Sequence, residues 1–451
     1  MTEAKPDLLG SFDGQGSVDG QGAFDEHHPP ARELVDDCVH CGFCLPACPT
    51  YSLWGEEMDS PRGRIYLMKE GLEGEPMSPS LVQHVDACLG CMACVTACPS
   101  GVQYDKLVEA TRQQVERRGA EHRTRGQRLL RSAIFALFPH PERLRLVRPF
   151  LALYQRSGLS RLVRPVLGRV SPTLATMEAI APPVGPRVQV PELVPAVGEK
   201  RMTVGMLLGC VQREFYPGVN AATARVLAAE GCEVVVPPDQ GCCGALSVHA
   251  GREAEGLGYA RALIDTFSAA GVERIVVNSA GCGSTMKDYA HLLADDPAYA
   301  QRAAELAGTT RDVSEVLAEL EPVAPRHPLP LTVAYHDACH LRHAQGVKAQ
   351  PRTVLATIPG LTVKEIADGD MCCGSAGIYN LTNPEPAREL GDRKAANVAA
   401  TGAELLVTSN PGCLLQITDA LRRRGQEVPT AHLVQVLDAS LRGAGPEELT
   451  G

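Results

Sequence analysis

The chain has 451 residues, 44% of them apolar and 21% charged, which excludes a small cross-linked peptide, wholesale disorder and a coiled coil. Its formal charge of −10 argues against a general nucleic-acid binder, yet 14 Arg against 3 Glu between Thr111 and Val170 give that stretch a charge of +11. Seventeen cysteines behind an N-terminus that lacks a basic, then apolar, leader point to the cytoplasm and to metal ligation or redox chemistry, because a reducing compartment keeps thiols free.

Residues 1–30 carry the near-repeat SFDGQGSVDGQGAFDE, with little to bury, and are expected to form a disordered tail. Its GxG pieces have no strand before them and no helix after them, so they are not dinucleotide fingerprints. Residues 31–110 hold two dense cysteine clusters. Between them Ser60 and Pro61 announce a helix that runs toward Gly71, and a further helix is expected from Tyr104 to Arg118.

Residues 111–200 form an arginine-rich helical segment and linker. Leu129, Leu130, Ile134, Leu137 and Phe138 fall on one face before Pro139, and Leu144, Leu146, Val147, Phe150, Leu151 and Leu153 resume the pattern. A basic amphipathic stretch of this kind suits docking on an anionic leaflet or an acidic subunit, or is simply a solvated linker. Ala181 to Gly198, rich in Pro and Val, is an extended connector. No apolar run approaches the roughly 18 residues of a membrane span.

From residue 201 short β-rich runs alternate with helical ones: MTVGMLLGC, CEVVVPP and RIVVNSAGC, then LTVAYHDAC, LTVKEIAD and LLVTSNPGC. The alternation predicts α/β layering on largely parallel sheets. Cys210, the pair Cys242 and Cys243, and Cys282 recur as Cys339, the pair Cys372 and Cys373, and Cys413, at offsets of 129, 130 and 131. Two copies of one α/β domain, 201–325 and 326–445, account for this.

Cys38, Cys41, Cys44 and Cys48 before Pro49 have the spacing C-x2-C-x2-C-x3-C-P, and Cys88, Cys91, Cys94 and Cys98 before Pro99 repeat it. This is the bacterial two-cluster ferredoxin pattern, in which the fourth cysteine serves the other cluster. Crossed ligation is therefore expected: Cys38, Cys41, Cys44 and Cys98 on one [4Fe-4S] cluster, and Cys88, Cys91, Cys94 and Cys48 on a second. Structural zinc is the competing use of eight such thiols, but zinc motifs favour separated cysteine pairs.

Adjacent cysteines suit a polynuclear iron-sulfur site or a redox thiol pair better than a single zinc, and strand ends of a doubly wound sheet gather in one crevice. For the eight cysteines of the two copies, an iron-sulfur site, zinc or unliganded thiols, and thiol-disulfide chemistry all remain open. His336, His340 and His343 surround Cys339, as alternative ligands, proton carriers or hydrogen-bonded core residues. Cys232 belongs to no set and fits a small buried hydrophobe at a strand start.

CPTYSLWGEEMDSPRGRIYLMKEG between the clusters, followed by GCCGAL, NSAGC, MCCGSAG and SNPGC, resembles the iron-sulfur subunits of bacterial glycolate oxidase over about residues 33–440. The resemblance implies a multi-domain chain: an α-helical two-cluster ferredoxin domain, then two duplicated α/β cysteine-rich (CCG) domains. It implies an electron-transfer subunit without its own catalytic residues, carrying two [4Fe-4S] clusters. FAD-containing oxidase subunits would convert glycolate to glyoxylate, and quinone would lie downstream. In that family the complex associates with the inner membrane. The subunits of anaerobic glycerol-3-phosphate and D-lactate oxidation are similar, as is the CCG subunit of heterodisulfide reductase. That last relative adds a fifth cysteine as C-x-x-C, where this chain has Thr285 and Gln416, which counts against disulfide cleavage but leaves a heterodisulfide-reductase-like thiol/disulfide enzyme as the alternative reading. No strand-glycine turn-helix motif for FAD or NAD occurs, which leaves hydride chemistry to a companion. Nucleic acid is not an expected partner, since the arginines lack regularly spaced aromatics.

Overall fold

A computed structural model describes residues 22–450. In the N-terminal region helices Pro61–Leu72, Pro79–Ala87 and Tyr104–Arg118 surround the cysteine loops. The Ser60 hydroxyl accepts the Gly63 N–H at 3.0 Å and Pro61 occupies the first turn, so the expected cap forms. Ile65, Met68, Leu107 and Val108 pack around the loops. Residues 1–21 of the expected tail lie outside the described residues, whereas residues 22–30 depart from that expectation. Ala23 and Phe24 are buried against Leu67, Leu81, Val82 and Val115, and Asp25 pairs with Arg117. Gly71 makes room for them: a Cβ there would come within 2.7 Å of the Phe24 ring.

The arginine-rich stretch folds as helices Arg125–Leu137, Pro141–Arg156, Leu159–Val170 and Pro172–Ala179. Ile134, Phe135 and Leu144 are buried, but Leu146, Phe150 and Leu153 are 70%, 74% and 68% exposed. Leu162, Val166 and Val170 continue this exposed apolar face. Much of the positive charge is used internally: Arg123 pairs with Asp86 and Glu116, Arg131 with Glu116, Arg145 with Glu214 and Arg164 with Glu178. Among the described residues no helix is long and apolar enough to cross a membrane.

The C-terminal half contains two sheets. In the first, β1 (Leu193–Val194), β2 (Met202–Met206), β3 (Cys232–Val235), β4 (Arg274–Val277) and β5 (Thr310–Asp312) are ordered β1-β3-β2-β4-β5. In the second, β6 (Thr332–His336), β7 (Thr362–Glu365), β8 (Leu405–Thr408) and β9 (Thr430–His432) are ordered β7-β6-β8-β9. The shared four-strand order is parallel throughout. The extra strand β1 comes from the extended connector and pairs antiparallel with β3, covering an edge that would otherwise be unpaired.

The copies pack reciprocally. The helix after the first strand of one copy (Pro217–Ala229) lies on the last helix of the other (Leu433–Arg442), and Ala349–Ala356 lies on Val313–Glu319 in the same way. One core draws on both copies, with Val204, Val226 and Val316 beside Val333, Leu355 and Leu437. Between the copies the His432 ring Nε2 donates to the Asn278 carbonyl at 2.9 Å.

Candidate functional site

The eight ferredoxin-type cysteines divide between two hollows. Cys38, Cys41, Cys44 and Cys98 line one, and Cys48, Cys88, Cys91 and Cys94 line the other. Each hollow therefore takes three thiols from one loop and the fourth from the opposite loop. The loops share a backbone form. His40 and Gly42 flank Cys41 with left-handed φ of 51° and 87°, and Gly90 and Met92 flank Cys91 with 62° and 61°. A side chain rarely adopts this conformation unless the surroundings hold it. Arginine clamps do so: Arg62 donates to the His40 carbonyl at 2.9 Å, and Arg112 donates to the carbonyls of Cys88 and His249.

The donor set fits thiolate-bound iron-sulfur clusters. Four thiols converge in each hollow with no carboxylate among the lining residues, and each hollow carries one guanidinium, Arg62 or Arg64, to offset thiolate charge. The Arg64 side chain is fully buried and donates to Thr50, to the carbonyls of Asp59 and His84 and to the Asp59 carboxylate. Burial alone would push the Cys88 thiol up. Arg64 and Arg112, helped by the Gly90 N–H and the Tyr104 hydroxyl, bring it below its ordinary value. Cysteine spacing does not disclose Arg62 and Arg64. The signal that could have found them is two cations in the first turn of a helix, where the macrodipole disfavours them and a specific partner is needed.

The hollows differ in depth. Cys41 is exposed, and Val39 and Phe43 beside it are 69% and 67% exposed, whereas Cys48, Cys88, Cys91 and Cys94 are all buried. The inner hollow abuts the second copy, because Cys91, Leu89 and Ala93 share an apolar cluster with Cys372, Tyr379 and Cys339. The Cys91 thiol is pushed well up, by burial first and by Cys339 second.

In each copy the cysteines lie just beyond the C-terminal ends of three adjacent parallel strands, and the crevice expected there forms. Cys210 and Cys242 are 3.7 Å apart in the first, and Cys339 and Cys372 are 4.0 Å apart in the second. One thiol of each adjacent pair falls well below its ordinary value through hydrogen bonds from neighbouring thiols. Cys242 is held by Cys210 and Cys243, and Cys373 by Cys372 and Cys413. Thr285 and Gln416, where a fifth cysteine would stand, are engaged elsewhere, with His249 and with Asn380 and the Ala387 carbonyl. Cys232 is fully buried at the start of β3, in no crevice.

The three histidines near Cys339 separate by role. His340 contacts the Gly90 carbonyl at 2.9 Å through Nε2 and the Ser284 hydroxyl at 3.0 Å through Nδ1, joining the ferredoxin loop to both copies. His343 contacts the Thr96 hydroxyl at 2.7 Å and the Asp370 carbonyl at 2.9 Å. Both are docking residues with their ring nitrogens occupied. His336 instead points at thiols, grouped with Cys373 and Cys413.

Comparison with known proteins agrees with this layout. Residues 34–102 match the 4Fe-4S dicluster domain, and residues 204–287 and 333–418 each match the cysteine-rich domain. Residues 126–181 match the linker region of the glycolate oxidase iron-sulfur subunit. The chain is 40% identical over 422 residues to the probable glycolate oxidase iron-sulfur subunit of Bacillus subtilis (strain 168), covering 90% of this chain and 93% of that protein. It is 36% identical to the glycolate oxidase iron-sulfur subunit of Escherichia coli (strain K12), covering 91% and 95%. Lactate utilization protein A of an Exiguobacterium species is 31% identical and matches 53% of this chain over 99% of its own length.

Proposed function

Because the chain belongs to the family of glycolate oxidase iron-sulfur subunits, we propose that it carries electrons from FAD in companion subunits toward quinone while those subunits oxidise glycolate to glyoxylate. The observation that carries this reading is the division of eight thiols into two hollows, each completed by a cysteine of the opposite loop. A [4Fe-4S] cluster in each would supply the one-electron outlet that a reduced flavin requires.

Several residues of the chain support a direction for the route. Val39 and Phe43 form an exposed apolar rim at the outer hollow, a surface on which a flavin subunit would exclude water close to the thiols. Arg62 and Arg64 offset thiolate charge, and the inner loop leads to the second cysteine-rich copy. The exposed Leu146, Phe150, Leu153 and Leu162 on arginine-bearing helices support a peripheral seat on the cytoplasmic face of an anionic inner membrane, where quinone is found. Lactate is the second substrate reading, favoured by the likeness to lactate utilization protein A.

Anaerobic co-purification with the flavin subunits tests the division of labour. Glycolate is expected to bleach the visible absorption of the complex and to leave the isolated chain unchanged. Glycolate oxidation by the isolated chain at the rate of the complex would overturn the reading.

A further inference from the structure

At the end of its first strand the second crevice carries an imidazole where the first carries an alkyl side chain. His140, whose charge reaches Cys242 in the first, is engaged by Tyr259 and Glu142. His336 ends β6, is 1% exposed, and meets no hydrogen-bond partner at its ring nitrogens beyond the thiol of Cys373. Leaving a buried polar atom unpaired costs about 1–3 kcal/mol, so an imidazole in this state calls for a ligand. One of its nitrogens and the sulfurs of Cys373 and Cys413 all lie within 4.8 Å of one another. Alternation along β6 puts His336 on the same face as Ala334, which packs in the cluster containing Cys373 and Cys413. Leu207 is the counterpart in the first copy, at the same offset of 129 that relates Cys210 to Cys339. It packs with Cys243 and Cys282 as His336 does with Cys373 and Cys413. His340 and His343 are already committed to docking.

We propose that the second cysteine-rich copy holds an iron-sulfur centre bound by Cys339, Cys372, Cys373 and Cys413 with His336 as a nitrogen ligand, where the matching strand of the first copy offers only Leu207. Five donors including an adjacent cysteine pair exceed the four of a closed structural zinc site. Position favours iron as well. Cys339 and Cys372 share an apolar cluster with Cys91 of the inner hollow, so the centre stands next to an electron carrier, and zinc takes no electron. A neutral imidazole as the fifth donor adds no negative charge, so the centre has a higher potential than one completed by a fifth thiolate, as histidines raise the potential in Rieske centres. One electron at a time then passes from the inner ferredoxin site to the second copy. This inference rests on reading the eight ferredoxin thiols as two cubane sites.

The test uses the whole chain purified without oxygen, with iron and acid-labile sulfide counted and the reduced protein examined by pulsed EPR for nitrogen coupling. Iron beyond that of two cubanes and a strongly coupled ring nitrogen are expected. His336→Leu, which installs the residue the first copy tolerates, is expected to abolish the coupling and the additional iron while both cubane signals persist. His336→Cys should keep the additional iron, lose the coupling and lower the midpoint potential. Iron matching two cubanes with His336→Leu spectroscopically silent, or zinc bound at the second copy, would overturn the inference while leaving the electron-carrier reading intact. Absence of cubane signals would sink that reading and this inference together.

Discussion

The two cysteine-rich copies share strand order, cysteine placement and reciprocal helix packing, yet they diverge at the ends of matching strands. Where the first has Leu207 and Leu208 after β2, the second has His336 and Asp337 after the equivalent stretch of β6. Where Asp312 ends β5 and caps helix Val313–Glu319, His432 ends β9 and caps helix Leu433–Arg442, each completing a capping box. The inner hollow also adjoins the second copy through Cys339 and Cys372. Strand order and reciprocal helix packing are common to both copies, and side-chain chemistry differs at the crevice rims. A repeated scaffold thus carries two unlike sites.

The largest effect that would sharpen this contrast is expected at Asp337, which is 4% exposed and bound by Arg342 and by both terminal nitrogens of Arg352. Burial would raise its carboxyl, but the two guanidiniums hold it below its ordinary value. Asp337→Ala should cost about 2–3 kcal/mol in denaturant unfolding, because it removes charge-assisted hydrogen bonds at a buried carboxylate while Arg342 keeps Asp370 and Arg352 keeps Glu365. A loss under about 1 kcal/mol would mean that the network contributes only what a surface ion pair does.

The helix caps are expected to respond to acid with opposite signs. Burial pushes His432 down to about 4 from 6.5, so between these values the unfolded chain takes up a proton that the folded chain refuses, and stability falls as pH falls. Burial pushes Asp312 up to about 6 from 3.8, so there the folded chain holds the additional proton, and stability rises as pH falls and is lost as pH rises through 6. Each contribution is at most about 3 kcal/mol. Hydrogen exchange corrected for intrinsic rates should show helix Leu433–Arg442 opening more readily, and helix Val313–Glu319 less readily, as pH drops from 6.5 to 4. Parallel responses at both ends would break the contrast.

The smallest effect concerns the reciprocal helix contacts. Arg225 makes a two-pronged pair with Asp438 at 2.8 and 2.7 Å, whereas the matching position of the other contact is the apolar Val354. Arg225 is half exposed and Asp438 retains Arg442, so Arg225→Leu should cost no more than about 1 kcal/mol by thermal unfolding. A larger loss would assign this pair a role in register that packing alone does not supply.

Local signals are legible in the amino-acid sequence itself. Ser60-Pro61 marks a helix start, the run from Tyr104 to Arg118 forms as a helix, and the cysteine offsets disclose the duplication, because caps, periodicity and repeats are written in neighbouring residues. What depends on distant neighbours is not legible there. The apolar residues of helix Pro141–Arg156 share one face by spacing, yet only Leu144 among them is fully buried, Leu151 is half-buried, and Leu146, Phe150 and Leu153 face outward. Ala23 and Phe24 sit in polar, glycine-rich sequence and are packed only because Gly71 leaves space. The three histidines near Cys339 are equivalent by sequence, and only tertiary partners separate two docking residues from His336.

The burial of the inner hollow also bears on how the protein is made. On the proposed ligation, Cys48, Cys88, Cys91 and Cys94 must receive their cluster before Cys372, Tyr379 and Leu390 of the second copy close over Cys91. Synthesis proceeds from the N-terminus and domains fold as units, so the ferredoxin loops emerge well ahead of their cover. Delivery of iron and sulfide would thereby be timed against translation, and a chain that finished folding without its inner cluster would have to reopen at the interface stapled by His340 and His343 to acquire it.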